Sequence, residues 1–256
     1  SYGAVELRDS ATREVLREMG DIAGNVNALA FSPDGLFVFG AAGDAGLSGI
    51  VYQWKVSDGS LVRRFEGHTD ALYALAIAPD GKQFASGGYD QKIKIWSVST
   101  GIELKTLKGH NGAVFGLSYR PDGKVLASAS ADRTVKLWDP ASGARLDTLS
   151  QPTKELSTVA FSPDGKTLAA AGADNRLRIW TVSAKALEGS NPILITTFAH
   201  EGAVLKLAYS ADGKTLVSTA ADMTVKLWDA GGVTERKALP KQPDWVQAVA
   251  FLPDNR

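Results

Sequence analysis

One spacing constrains this chain more than any other feature. Tryptophans closing β-rich runs fall at Trp54, Trp96, Trp138, Trp180 and Trp228, which are 42, 42, 42 and 48 residues apart. A second landmark is the turn triplet Pro-Asp-Gly. It begins at Pro33, Pro79, Pro121 and Pro163, has Ala211 in the same slot, and reappears in part at Pro253-Asp254; its steps are 46, 42, 42, 48 and 42 residues. Two independent landmarks with one period mean that one supersecondary unit is copied along the chain. Such a unit cannot bury its apolar face alone and is stable only when stacked on its neighbours.

The third unit illustrates the internal reading. Residues 113–119 alternate and predict a first strand, a. Pro121-Asp122-Gly123 is a tight turn, with φ preset by proline and left-handed freedom supplied by glycine. Residues 125–129 predict strand b, and Ala131-Asp132-Arg133 turns the chain again. Residues 134–138 predict strand c, ending on Trp138, and residues 144–149 strand d. The unit is therefore a four-stranded antiparallel meander.

With Gly-His before strand a, Asp in the b–c turn and Trp closing strand c, these units resemble WD40 repeats. Trp138-Asp139 and Trp228-Asp229 are literal examples of the dipeptide that names the family. The resemblance implies an all-β propeller of four-stranded antiparallel blades. The expected blades are 25–66, 71–108, 113–150, 155–199 and 203–240 within one domain covering 1–256. A c–d half blade at 4–19, with Arg8 in the tryptophan slot, and a lone strand a at 245–256 complete the reading; if they share one blade they supply strands a, c and d but no b, and if they are separate blades, the favoured reading, the parent ring has seven.

The chain has three histidines, His68, His110 and His200, and no cysteine. Thiol catalysis and zinc–thiolate sites are excluded within it. The histidines repeat at the blade period, as a single active site would not. In the family such a histidine belongs to a buried hydrogen-bonded tetrad. The resemblance implies three: His68/Ser86/Asp90/Trp96, His110/Ser128/Asp132/Trp138 and His200/Ser218/Asp222/Trp228. Ser, His and Asp together resemble a hydrolase triad, but with every histidine so assigned no catalytic residue, metal ligand or cofactor is expected. Blade four has Pro152 and Ala170 in the histidine and serine slots, and blade one has Ile22 in the histidine slot, so both are expected to be locally weaker. The strand-c basic residues Lys92, Lys94, Lys136, Arg176, Arg178 and Lys226 read as solvated strand sides.

Two insertions break the period. Blade one has four extra residues in its b–c connection, around residues 43–49, and blade four has six in its c–d connection, around Lys185–Pro192. Both read as loop variation or as contact sites. The order of these features also resembles the propeller of large bacterial, planctomycete-type proteins that carry a c-type-cytochrome-like domain. That likeness implies an exported multidomain parent.

Lysine plus arginine equals aspartate plus glutamate, 28 each, so a nucleic-acid partner is not expected. No apolar run reaches the roughly 20 residues of a membrane span, and no insertion into a membrane is expected. The compartment stays open, cytoplasmic or extracytoplasmic.

The leading functional expectation is a non-catalytic scaffold that binds a protein or peptide on the face carrying the d–a and b–c loops. Tyr73, Tyr89, Phe115, Leu205 and Trp245 are its candidate contacts, because exposed aromatic and apolar side chains on a rigid rim make good anchors. The alternative is a docking or regulatory module of a larger exported redox or hydrolytic protein, whose partner could be another domain of the same chain.

Overall fold

The computed structural model describes residues 4–251. They contain strands and no helix, so no helix is long and apolar enough to cross a membrane. The chain divides into two compact units, residues 1–114 and 115–256.

The first unit opens with a two-stranded antiparallel sheet, β1 (Val5–Arg8) and β2 (Val15–Met19). Blade one follows as β3 (Asn25–Phe31), β4 (Phe37–Asp44), β5 (Ser48–Lys55) and β6 (Leu61–His68). Blade two is β7 (Leu72–Ile77), β8 (Gln83–Gly88), β9 (Ile93–Ser97) and β10 (Glu103–Leu107). Each is a four-stranded antiparallel sheet in chain order. Val5 and Met19 pack against Val38, Tyr52 and Trp54 of blade one. Blades one and two share Phe39, Phe65, Phe84 and Trp96, with the Phe65 and Phe84 rings edge to face at 4.7 Å.

The second unit holds three more blades. Blade three is β11 (Val114–Tyr119), β12 (Leu126–Ser130), β13 (Val135–Trp138) and β14 (Arg145–Leu149). Blade four is β15 (Leu156–Phe161), β16 (Thr167–Gly172), β17 (Arg176–Thr181) and β18 (Ile193–Phe198). Blade five is β19 (Val204–Tyr209), β20 (Thr215–Ala220), β21 (Val225–Asp229) and β22 (Glu235–Ala238). Here too the strands run in chain order within each sheet. Leu137, Leu149, Leu156 and Trp180 join blades three and four, and Ile179, Leu207, Leu216 and Trp228 join blades four and five.

Burial is greatest in the central strands b and c of each blade and, in blades two to five, least in strand d. Strand b of blade three, β12, is wholly buried, while the outermost strand of blade five, β22, is wholly exposed. Small b-strand residues such as Ala127 and Ala169 let neighbouring sheets approach. The turns divide the work of left-handed backbone. At the a–b turn glycine takes it, as at Gly123 (φ 71°). At the b–c turn Gln91, Arg133, Asn175 and Met223 take it with φ of 62–68°, a conformation that costs an L-residue about 1–2 kcal/mol. In each of these turns the preceding aspartate accepts the N–H two residues on, as Asp90 does from Lys92 at 3.2 Å, which offsets part of that strain.

Both insertions are ordered parts of the packing. In blade one the extra residues lengthen the hairpin: the β4–β5 ladder runs on through Gly43↔Gly49 and Asp44↔Ser48. Its tip is tied down by Gly46, whose N–H donates to Asp70 Oδ1 at 2.7 Å. In blade four, Asn191 Nδ2 donates to Asp147 Oδ2 at 2.6 Å, and the Arg120 guanidinium donates to the carbonyls of Ser183 and Ala184 at 3.1 and 3.0 Å. Asn191, Asp147 and Arg120 are all buried, so this insertion clamps blade four to blade three.

The expected strand a near the C-terminus does not form. After Ala238 the described residues contain no strand, including those from Trp245 to Phe251. An isolated strand leaves its backbone groups unpaired, and none of the described strands follows to supply a strand b. The rest of that expected partial blade, including its Pro253-Asp254 turn, lies outside the described residues.

Candidate functional site

Blade two brings its four predicted residues together. His68 ends β6, Ser86 sits in β8, Asp90 follows in the b–c turn and Trp96 closes β9. His68 Nδ1 lies 2.8 Å from Asp90 Oδ2, and Nε2 lies 2.8 Å from Ser86 Oγ. Trp96 Nε1–H donates to the same Ser86 oxygen at 2.8 Å. One proton arrangement satisfies every group. Nδ1–H donates to the aspartate, the serine hydroxyl donates to Nε2, and the serine oxygen accepts from the indole. Burial pushes the Asp90 carboxyl up, but hydrogen bonding and charge from His68, with the backbone N–H groups of Lys92 and Thr69, hold it below its usual range.

Blade five repeats the arrangement. His200 Nε2 is 2.6 Å from Ser218 Oγ, and Trp228 Nε1–H donates to that oxygen at 2.8 Å. Nδ1 faces Asp222 Oδ2 at 3.1 Å and Thr224 Oγ1 at 2.9 Å. Burial lowers the His200 pKa and outweighs the raising effect of Asp222. Burial raises Asp222, but hydrogen bonds from Thr224 and the charge of His200 leave it lowered. The third set divides between the two units: buried His110 belongs to the first, and Ser128, Asp132 and Trp138 to the second. Within the second unit Trp138 Nε1–H donates to Ser128 Oγ at 2.8 Å.

A nucleophilic serine must reach a substrate. Ser86 and Ser218 are fully buried, and each oxygen already accepts an indole N–H. The geometry ties the b–c turn to the d–a segment and keeps both serine oxygens away from the surface.

Blade four reaches the same end by other means, which the repeat pattern concealed. Trp180 Nε1–H donates to Gln151 Oε1 at 3.2 Å. Arg178 forms a 2.7 Å ion pair with Asp174, their side chains 3% and 5% exposed. Asp174 also accepts from the Thr153 N–H and hydroxyl at 3.1 Å. Burial raises Asp174, and Arg178 and the backbone donors more than reverse it. Blade one has neither solution. Gly40 stands in the serine slot, Tyr52 opposite it stacks on Trp54 at 5.4 Å, and buried Trp54 Nε1 has no hydrogen-bond partner among the described residues.

The strand-c cations also differ from their expected place. Lys94, Lys136 and Arg178 are buried rather than solvated. Lys94 pairs with Glu103 at 2.5 Å and lies over the Trp96 ring at 5.8 Å. The aliphatic stem covers the indole while the ammonium finds a partner on strand d, a cross-strand pairing that alternation along one strand cannot reveal.

The candidate contact residues fall into separate places. Tyr73, half-buried on β7, meets Tyr89 of the b–c turn edge to face at 5.2 Å. Tyr89 is 47% exposed. Phe115 and Leu205, both half-buried, lie on β11 and β19 of the second unit, and exposed Trp245 lies in its strand-free C-terminal stretch. Two other residues in the same strand-a slot are struts: Asn27 Nδ2 donates to the Leu72 carbonyl at 2.8 Å, and the Ser157 hydroxyl donates to the Val204 carbonyl.

Comparison with known proteins agrees with this architecture. The family described as "WD domain, G-beta repeat" matches residues 15–55, 59–97, 101–139, 143–181 and 192–229. The chain is 42% identical over 67 residues to the intraflagellar transport protein 122 homolog of Xenopus tropicalis, covering 26% of this chain and 5% of that protein. The human counterpart is 40% identical over 70 residues, 27% of this chain and 5% of that protein. Protein groucho of Drosophila melanogaster is 34% identical over 85 residues, 33% of this chain and 11% of that protein. The chain thus spans only a small part of each relative, and all three are eukaryotic, unlike the bacterial proteins suggested by feature order. Five matches in register, over most of the chain and on the tryptophans and turn aspartates described above, make this chain a member of the WD40 repeat family.

Proposed function

We propose that this protein is a non-catalytic interaction scaffold that binds a protein or peptide on the loop end formed by the d–a segments and b–c turns. The observation that carries this reading is the Tyr73–Tyr89 pair. Its edge-to-face rings stand at a turn whose aspartate is locked to His68, which is itself bonded to Ser86. Aromatic side chains held on a rigid support contribute contact area with little ordering entropy left to lose. Phe115, Leu205 and Trp245 are further contacts in this proposal. The buried, fully hydrogen-bonded serines favour a structural role for the tetrads over hydrolysis. Membership of a repeat family that includes stretches of intraflagellar transport protein 122 homologs and of groucho supports the scaffold reading. A docking module of a larger exported redox or hydrolytic protein is the narrower alternative, and only the bacterial feature order supports it.

Affinity capture with wild type, Tyr73→Ala and Phe115→Ala tests the placement, with mass spectrometry identifying the partner. The expected result is loss of the wild-type partner from both variants while their melting curves stay intact. Unchanged capture by both variants overturns the placement.

A further inference from the structure

The loop end of the first unit carries a charge of its own. Its d–a segments (20–24, 66–71 and 108–113) and b–c turns (43–48 and 88–92) hold five carboxylates and two basic side chains, Lys92 and Lys108. Of the five, Asp90 is occupied by His68. The corresponding segments of the second unit bring in Arg133, Lys154 and Arg176. A partner that engages the first unit here therefore meets a net negative field.

The aromatic pair sits within that field. The Tyr89 backbone N–H is fixed to the Ala71 carbonyl at 3.0 Å, which sets its ring beside Tyr73. Asp70 immediately precedes Ala71 in the chain. Its Oδ1 accepts the N–H groups of Gly46 and Ala71 at 2.7 and 2.8 Å, so the carboxylate cannot swing away. Its charge reaches the ring: burial first, then Tyr89 and Asp70, push the Tyr73 hydroxyl up. Tyrosine faces attract cations through the ring quadrupole, and a fixed carboxylate beside them adds a second attraction of the same sign. An acidic side chain would be repelled by both, and a neutral apolar one would gain only contact area.

We propose that Tyr73, Tyr89 and Asp70 form a subsite for the cationic side chain, lysine or arginine, of a basic partner peptide. The proposal rests on the interaction reading above and narrows it to a chemical class. Arginine is the better fit, because its planar guanidinium can stack on a ring while donating to the carboxylate.

Fluorine NMR of the fluorotyrosine-labelled chain tests the subsite, with Tyr73→Phe and Tyr89→Phe used to assign the two resonances. The probes are acetyl-Gly-Arg-Gly-amide and acetyl-Gly-Lys-Gly-amide, with the Glu and Leu analogues as controls. Saturable shifts of both resonances are expected with the two cationic probes only, weakening as salt rises to roughly 0.5 M. Asp70→Asn keeps the Oδ1 acceptor for Gly46 and Ala71 and removes only the charge. It should weaken the arginine probe about fivefold, the scale of one exposed cation–ring or ion-pair contact, with an unchanged melting temperature. Equal shifts with the Glu or Leu probe, no shift with any probe, or undiminished arginine binding by Asp70→Asn would each overturn the subsite. If Tyr73→Ala still loses its captured partner while the cationic probes fail, the cation assignment falls and the scaffold reading stands. If capture is unaffected as well, both fall.

Discussion

Blades two and four are copies of one unit that hold the same tryptophan in different ways. In blade two, Trp96 hangs on Ser86, which is tied through His68 to the turn aspartate. In blade four, Trp180 hangs on Gln151, and the turn aspartate is tied instead to Arg178 from strand c. The histidine network spans a d–a segment, strand b and a turn. The arginine pair spans only the turn and the strand that follows it. Both blades supply a partner for the indole N–H and a counter-group for the turn aspartate, with different residues. Loss of the histidine therefore did not leave blade four without polar support. The uncompensated blade is blade one, where Trp54 is buried with no acceptor.

Breaking the blade-four solution should cost most. Asp174→Ala strands the Arg178 charge in a site where its side chain is only 3% exposed, and loss of one partner of a buried pair costs about 3–5 kcal/mol. Urea denaturation should show that drop in the midpoint. In blade two, Ser86→Ala leaves both the Trp96 N–H and His68 Nε2 without a partner. The expected loss is about 3 kcal/mol, because each orphaned buried group costs about 1–3 kcal/mol. A smaller difference sharpens the contrast with blade one. Trp96→Phe and Trp54→Phe remove similar ring area, but only the first breaks a hydrogen bond. Trp96→Phe should be destabilising by about 1 kcal/mol more than Trp54→Phe, the net worth of one such bond. Equal losses would mean that the indole bond contributes nothing.

The gentlest probe is pH. His200 has a folded pKa held below about 6.5, its ordinary value, mainly by burial. The unfolded chain takes up that proton first, so this contribution is complete above the unfolded pKa and falls as the pH drops below it. Asp90, Asp174 and Asp222 are also held low, and their contributions vanish only as the pH falls through their folded values. Hydrogen exchange of the strand-c amides should thus loosen blade five in the mildly acidic range. Blade four, which has no histidine, should hold until the carboxylates protonate. Simultaneous loosening of both would remove the distinction.

Much of this was legible along the chain. Strands of the third repeat fall within one residue of their predicted bounds, and the His68 and His200 sets come together as the family resemblance implies. These features are local or periodic, and a copied unit carries them in every copy. Gln151 beneath Trp180, Arg178 on Asp174, Lys94 over Trp96 and the Arg120–Asp147–Asn191 clamp were not legible. Each replaces a repeat position with a residue of different chemistry or joins different strands or blades. The sequence signal that could have found some of them is the departure itself: Pro152 and Ala170 remove histidine and serine together in blade four, and Gln151 and Arg178 stand close by in the chain or on the neighbouring strand.

The sequence by itself determined that this chain is built of repeated four-stranded β units, where each turn falls, and that its histidines recur as parts of the unit. Period and turn chemistry act through neighbouring residues, so they can be read in one dimension. The tertiary structure alone decided how each buried tryptophan is satisfied, that the two insertions are a lengthened hairpin and an inter-blade clamp, and that the stretch from Trp245 to Phe251 stays without a strand. Those outcomes depend on which groups meet across strands and blades, and on the cost of leaving a buried donor or a strand edge unpaired.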